Sequence, residues 1–310
     1  MKIQDRLSET LRRFFDSDIW FSFTRSRITV AAASITLAYA LGALLAPWVS
    51  PHNPFDPGSL NLMDAFTPPF WYEDGQLNFL LGTDDQGRDI FSTILYGSRI
   101  SLMVGLAAMV MAMVIGVTLG LLSGYVGGAV DNFIMRIADI TLSIPALLLA
   151  MLINGVVRSI LPNVSHDDSA LFVLVLAIGV SSWPPFARTV RGSTMVERNK
   201  EYVAAARIIG RSPWAIMLRH VLPNVMGPVL VIVTIGLAVA ILTEASLSFL
   251  GVGMPPTTPS LGTLIRIGND FLFSGEWWIV VFPGTALAVL ILSVNLLGDW
   301  LRDALNPKLR

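Results

Sequence analysis

Six long apolar runs constrain this chain more than any other feature. They cover residues 28–47, 100–122, 140–157, 169–187, 221–243 and 278–298. A membrane-crossing helix needs roughly 20 predominantly apolar residues. Lipid offers no partner to an open peptide group, so each run must close its own hydrogen bonds as a helix. The expected fold is an all-α integral membrane protein with six transmembrane helices. Composition agrees: of 310 residues, 54% are hydrophobic and 14% charged, against about 25% charged in a soluble domain. Pro145, Pro184, Pro185, Pro228 and Pro283 lie inside the runs. Each predicts a kink or break, since proline cannot donate and clashes with the carbonyl one turn back. The first run follows a basic flank, but it is about twice as long as a signal-peptide core. It is read as an uncleaved span.

Several function classes are set aside early. The formal net charge of -1 argues against nucleic acid as a partner. The chain has no cysteine, which removes disulfides, thiolate metal sites and a cysteine nucleophile. His52, His166 and His220 are not spaced as metal ligands. Asp84, Asp85 and Asp89 lack the spacing of a calcium loop. Asp139 and Glu244 are the candidate carboxylates, each near the end of an apolar run. Glu244 is the candidate for a pathway or interface carboxylate, although hydrated or hydrogen-bonded positions near a helix end fit both. Two repeated halves with broken-helix ion sites, the mark of many ion-coupled carriers, are not evident.

Positive charge sets the orientation. Six Lys or Arg residues precede the first run, one lies between the second and third, seven between the fourth and fifth, and three after the sixth. With both termini cytoplasmic, seventeen of the 21 fall inside. The expected organisation is a cytoplasmic segment 1–27, a first span 28–47 and an extracytoplasmic loop 48–97. A core 98–299 of five spans follows, with a cytoplasmic loop 188–222, and a cytoplasmic tail 300–310. The aromatic-rich loop 48–97 suits a cover over helix ends or part of a docking face for a soluble partner.

Two local patterns stand out. Gly116, Gly120 and Gly124 share one face of the second run, so a helix can approach closely there. That helix can belong to this chain or to a second membrane subunit. The other pattern is a basic island, "EYVAAARIIGRSPWAIMLRHVLPN", from Glu201 to Asn224. Glu197, Glu201, Ala204, Ala205 and Ile208 recur at helical spacing and predict one helix. Gly210 suits its C-terminus. Ser212 is an N-cap and Pro213 a first helical residue. Trp214, Met217 and Leu218 give that second, short helix an apolar side, and Leu222-Pro223 leads into the fifth span. A segment of this kind can lie on anionic lipid or dock into a groove of a cytoplasmic protein.

The island resembles the "EAA" loop of the membrane subunits of ATP-binding-cassette importers. Ala204, Ala205, Ala206, Gly210, Leu222 and Pro223 match at that loop's spacing. The family's leading glutamate falls on Ala204, with Glu201 one turn earlier. "LGTDDQGRDIFSTILYGSRISL" (81–102) and "EASLSFLGVGMPPTTPSLG" (244–262) resemble further segments of the same branch. The chain is similar to the C-type permease subunit of dipeptide, oligopeptide and nickel importers. The resemblance implies a type I importer-permease architecture in the bacterial inner membrane. It implies a second, homologous permease, two cytoplasmic ATPase subunits and an extracytoplasmic substrate-binding protein as partners, besides lipid. Without a G-x-x-x-x-G-K-[ST] loop, no ATP is expected on this chain; ATP and magnesium belong to the partner subunits. The chain is then a permease for peptides, with nickel or another small solute as the alternative cargo, and is not itself an enzyme. An ion-coupled secondary carrier is the more distant alternative.

Overall fold

The computed structural model describes residues 18–304 apart from 57, 59 and 161–165. The basic residues expected inside at 2–13 and 308–310 lie outside the described residues. The described residues contain thirteen α-helices. Helix α1 (Asp18–Arg25) turns into α2 (Arg27–Leu44) and the short α3 (Ala46–Val49). A loop leads to α4 (Ile90–Val126), and α5 (Gly128–Ser143), α6 (Ala146–Ile160), α7 (His166–Ser182) and α8 (Pro184–Glu197) follow. The basic island holds α9 (Glu201–Ile208) and α10 (Pro213–Ile216). The chain ends in α11 (Leu222–Phe249), α12 (Leu261–Asn269) and α13 (Trp278–Ala304).

Four helical stretches are long and apolar enough to cross a membrane: α2, α4, the continuous stretch Pro213–Phe249, and α13. Counting each of the bent pairs α5–α6 and α7–α8 as one span brings the number to six. Helix α4 begins at Ile90 rather than Ile100, because Asp89 caps it by accepting from the Ser92 amide at 2.8 Å. The expected straight span 140–157 is broken instead. Ile144 is extended (φ -95, ψ 130) and α5 meets α6 at 101°. The cause is Pro145, whose ring pushes the preceding residue out of the helical region. Trp183 before Pro184 stays helical (φ -70, ψ -29), and that break bends by only 42°. Pro228 and Pro283 lie inside continuous helices, so neither makes a break.

Helix α4 is the centre of the bundle, packed along α7, α8 and α11. Val104, Ala108 and Ala112 of α4 are buried with Leu174, Ile178 and Phe186 in one core cluster. Small residues let the backbones approach, which is how membrane helices gain packing energy when lipid is as apolar as the side chains. The glycine face belongs to this core. A Cβ on Gly116 would lie 2.6 Å from the Trp183 carbonyl oxygen, on Gly120 2.6 Å from that of Ala187, and on Gly124 2.7 Å from that of Arg191. All three glycines therefore seat α8 of the same chain. This favours internal packing over the partner-permease face.

Candidate functional site

The basic island folds back on the bundle as a braced loop. The single helix expected through Glu197 and Glu201 does not form. Helix α8 stops at Glu197, Lys200 is extended (φ -76, ψ 154), and α9 restarts at Glu201. The reason lies in the Glu197 side chain. It accepts from Lys200 Nζ at 2.6 Å and from the Tyr202 hydroxyl at 2.5 Å, which closes the turn. Burial and the neighbouring Glu197 push the Tyr202 hydroxyl up to about 12, so it stays protonated as a donor.

Helix α9 has two distinct sides. Val203 and Ala206 face the core, Ala206 being 5% exposed. Ala206, one of the matched alanines, is thus a packing residue and not a contact surface. Glu201, Ala204 and Ala205 lie on the exposed side with Ile208 (87% exposed), followed by Ile209 (76%). Gly210 takes a left-handed conformation (φ 79). Its amide donates to the Arg207 carbonyl, and the Arg211 amide to that of Ala206, at 3.0 and 3.1 Å. This paired closure satisfies the last carbonyls of α9 and favours glycine. Ser212 then caps α10, accepting from the Ala215 amide at 3.3 Å, with Pro213 at the first position.

The short helix is not a separate unit. It runs through a π-helical turn, Met217–Val221, straight into α11. Pro223 explains the wide turn: it has no amide to donate, and regular α-geometry would drive its ring into a carbonyl one turn earlier. Trp214 and Leu218 remain exposed on this stretch, while Ile216, Met217 and Val221 are buried. Leu222 is half-buried, and Ser212, Pro213 and Pro223 are exposed.

Four cations that precede the island and Arg207 within it hold the loop in place. Arg198 donates to the Gly124 and Tyr125 carbonyls at 2.8 and 3.3 Å, capping the C-terminus of α4. The Arg207 guanidinium lies over the Tyr125 ring at 5.5 Å. Arg191 makes two hydrogen bonds to Asp131, at 2.5 and 2.6 Å, and Ser123 donates to the same carboxylate. Arg188 pairs with Asp139 at 2.5 Å, and Lys200 with Glu197. Asn224 donates to the Tyr202 hydroxyl at 3.2 Å and to the His220 carbonyl at 2.7 Å, tying α9 to α11. Tyr202 and Asn224 are 22 residues apart, and no local spacing announces that contact. The result is an exposed patch of small and apolar residues on a platform tied to α4, α8 and α11.

Glu244 lies elsewhere, near the opposite end of α11, and is fully buried. Its oxygens accept from the Ser101 hydroxyl at 2.8 Å and the Ser248 hydroxyl at 2.7 Å. Ser101 accepts from the Leu261 amide and Ser248 from that of Met254. The carboxylate thus pins α4, α11 and the start of α12 together. It neither lines the loop site nor faces solvent.

Residues 116–310 match the family described as the binding-protein-dependent transport system inner membrane component. Residues 9–69 match the N-terminal transmembrane domain of oligopeptide transport permease C. The chain is 41% identical to the dipeptide transport system permease protein DppC of Escherichia coli K12 over 294 residues, covering 94% of this chain and 93% of that one. It is 39% identical to the di/tripeptide transport system permease protein DppC of Pseudomonas aeruginosa over 293 residues, covering 94% and 92%. Among solved structures, an inward-facing form of the MetNI methionine ABC transporter matches with a TM-score of 0.53 at 21% identity, over 70% of this chain and 98% of that one. That likeness concerns the fold. The chain belongs to the inner-membrane permeases of binding-protein-dependent ABC importers, as a C-type permease.

Proposed function

We propose that this permease imports short peptides, and that the exposed side of α9 with Trp214 and Leu218 is its ATPase-docking surface. The observation that carries the docking assignment is the patch itself. Ala204, Ala205, Ile208 and Ile209 are exposed on a loop braced by Arg191, Arg198 and Arg207, with Arg211 and Arg219 left exposed. An island laid on anionic lipid would turn all of its cations to headgroups, not Arg211 and Arg219 alone. A small-residue face on a rigid base instead suits a groove in a protein. The peptide cargo rests on the relatives, which are named as dipeptide and di/tripeptide permeases.

On this reading a sister permease completes the pathway, and an extracytoplasmic binding protein delivers the peptide. ATP and magnesium sit on two separate ATPase subunits, and this chain has no catalytic role. The basic end, with both termini, faces the cytoplasm. Closure of the ATPases moves the patch, and the braces to α4 and α11 pass that motion to the pathway. Each ligand must favour one state by a real free-energy difference for this to couple.

The test is reconstitution with the sister permease, ATPases and binding protein, reading dipeptide uptake and stimulated ATP hydrolysis. Gly210→Pro removes an amide and forbids φ 79; Ala205→Asp puts a charge in the exposed face. Both variants are expected to lose uptake and its coupling to hydrolysis. Wild-type values in both would sink the docking assignment. Uptake by this chain alone, without ATP, would overturn the importer mechanism.

A further inference from the structure

The loop between α3 and α4 encloses a cavity of about 310 Å³ that the transport reading does not use. Its lining includes His52, Asn61, Asp64, Asn78, Arg88 and Asp89. Asp89 is 2% exposed. One of its oxygens, Oδ2, is taken by the Ser92 amide and hydroxyl at the start of α4. The other, Oδ1, is buried without a hydrogen-bond partner, and so is Nδ1 of His52. Asp64 stands half-buried in the same wall. No ion pair among the described residues involves either carboxylate.

The one cation of the lining does not balance them. Arg88 pairs through Nε with Asp84 at 2.6 Å and donates through Nη1 to the Pro256 carbonyl at 3.3 Å. Its charge is matched by Asp84, and only Nη2 is left without a partner. The N-terminus of α4 compensates Asp89 only through Oδ2, so the buried Oδ1 and the Asp64 carboxylate line the cavity without a cationic partner. Water can supply donors but no charge, and buried charges in proteins are paired. A metal ion needs several ligands at one point, and among the described residues no three His, Asp or Glu groups converge. An ammonium group needs only acceptors at hydrogen-bond distance, which carboxylates, amide carbonyls and a neutral imidazole provide.

We propose that this cavity binds the primary ammonium group of a small organic cation. The α-amino end of a short peptide also brings a carbonyl oxygen that can accept from Arg88 Nη2. Charge-assisted hydrogen bonds from the ammonium to Asp89 Oδ1 and to Asp64 supply the affinity. This chemistry stands independently of the cargo assigned above.

Binding is measured by titration calorimetry on the full chain in lipid nanodiscs, with Ala-Ala, N-acetyl-Ala-Ala and ethylammonium as probes. Ala-Ala and ethylammonium are expected to bind saturably, and N-acetyl-Ala-Ala not to bind. Tighter binding of Ala-Ala places a peptide terminus in the cavity; equal binding places the recognition in the ammonium alone. Asp89→Asn keeps the helix cap, because asparagine caps as well as aspartate. It is expected to weaken both probes about tenfold to hundredfold. Asp64→Asn, away from the cap, is expected to weaken them in the same direction. Equal binding of the acetylated peptide, no saturable binding of either amine, or unchanged affinity in both variants would overturn the site.

Discussion

Gly120→Ala is expected to destabilise this chain, although alanine is the better helix former. The new Cβ would lie 2.6 Å from the Ala187 carbonyl oxygen and 2.8 Å from Val190 Cβ. The first of these is backbone, so no rotamer change relieves the clash, and α8 has to recede. Overpacking of this kind costs about 1–3 kcal/mol. Helix propensity returns about 1 kcal/mol, which leaves a net loss of up to about 2 kcal/mol. Gly192→Ala, on α8 itself, is the internal control. Nothing lies within 4 Å of its added Cβ, so it is expected to gain about 1 kcal/mol from propensity alone. The two variants should separate by roughly 1–3 kcal/mol. Unfolding of the purified chain by a denaturing detergent, followed by tryptophan fluorescence, measures the gap. Equal stability of Gly120→Ala and Gly192→Ala would refute internal seating of the glycine face.

Further expectations concern two carboxylates. Glu244→Ala leaves a void and strands the Ser101 and Ser248 hydroxyls, at a cost of about 2–4 kcal/mol. Glu244→Gln keeps the volume and an acceptor, and should cost about 1 kcal/mol; heat-resistant monomer on size exclusion compares them, and parity of the two would reject the pinning role. Asp85 lies in the loop before α4, where burial first, then Asp84, raises its carboxyl above the usual 3.8. A raised acid binds its proton more tightly in the folded state, so its stabilising share is full below the unfolded value and lost as pH rises through the folded one. Asp85→Asn should therefore raise the melting temperature at pH 7, with the advantage shrinking in acid. A constant advantage across the titration would contradict that assignment.

Much of the architecture is written in local sequence. A run of apolar residues has to be helical in lipid wherever it sits, so the helical runs, though not their breaks, follow from length and composition. The turn at Gly210 and the cap at Ser212-Pro213 are equally local: they depend on which residue tolerates φ 79 and which side chain reaches an amide three residues on. Tertiary structure decided the rest, because it depended on partners remote in the chain. The glycine stripe could have seated a helix of either protein; the α8 backbone, lying against it, made the choice. Glu244 found its Ser101 donor 143 residues away. Helix α9 split from α8 because Tyr202 turned back to Glu197 and was held there by Asn224. Of two proline breaks alike in sequence, one opened to 101° and the other to 42°. Local rules fix where a helix can begin and end, whereas packing fixes its direction and the face left open for a partner.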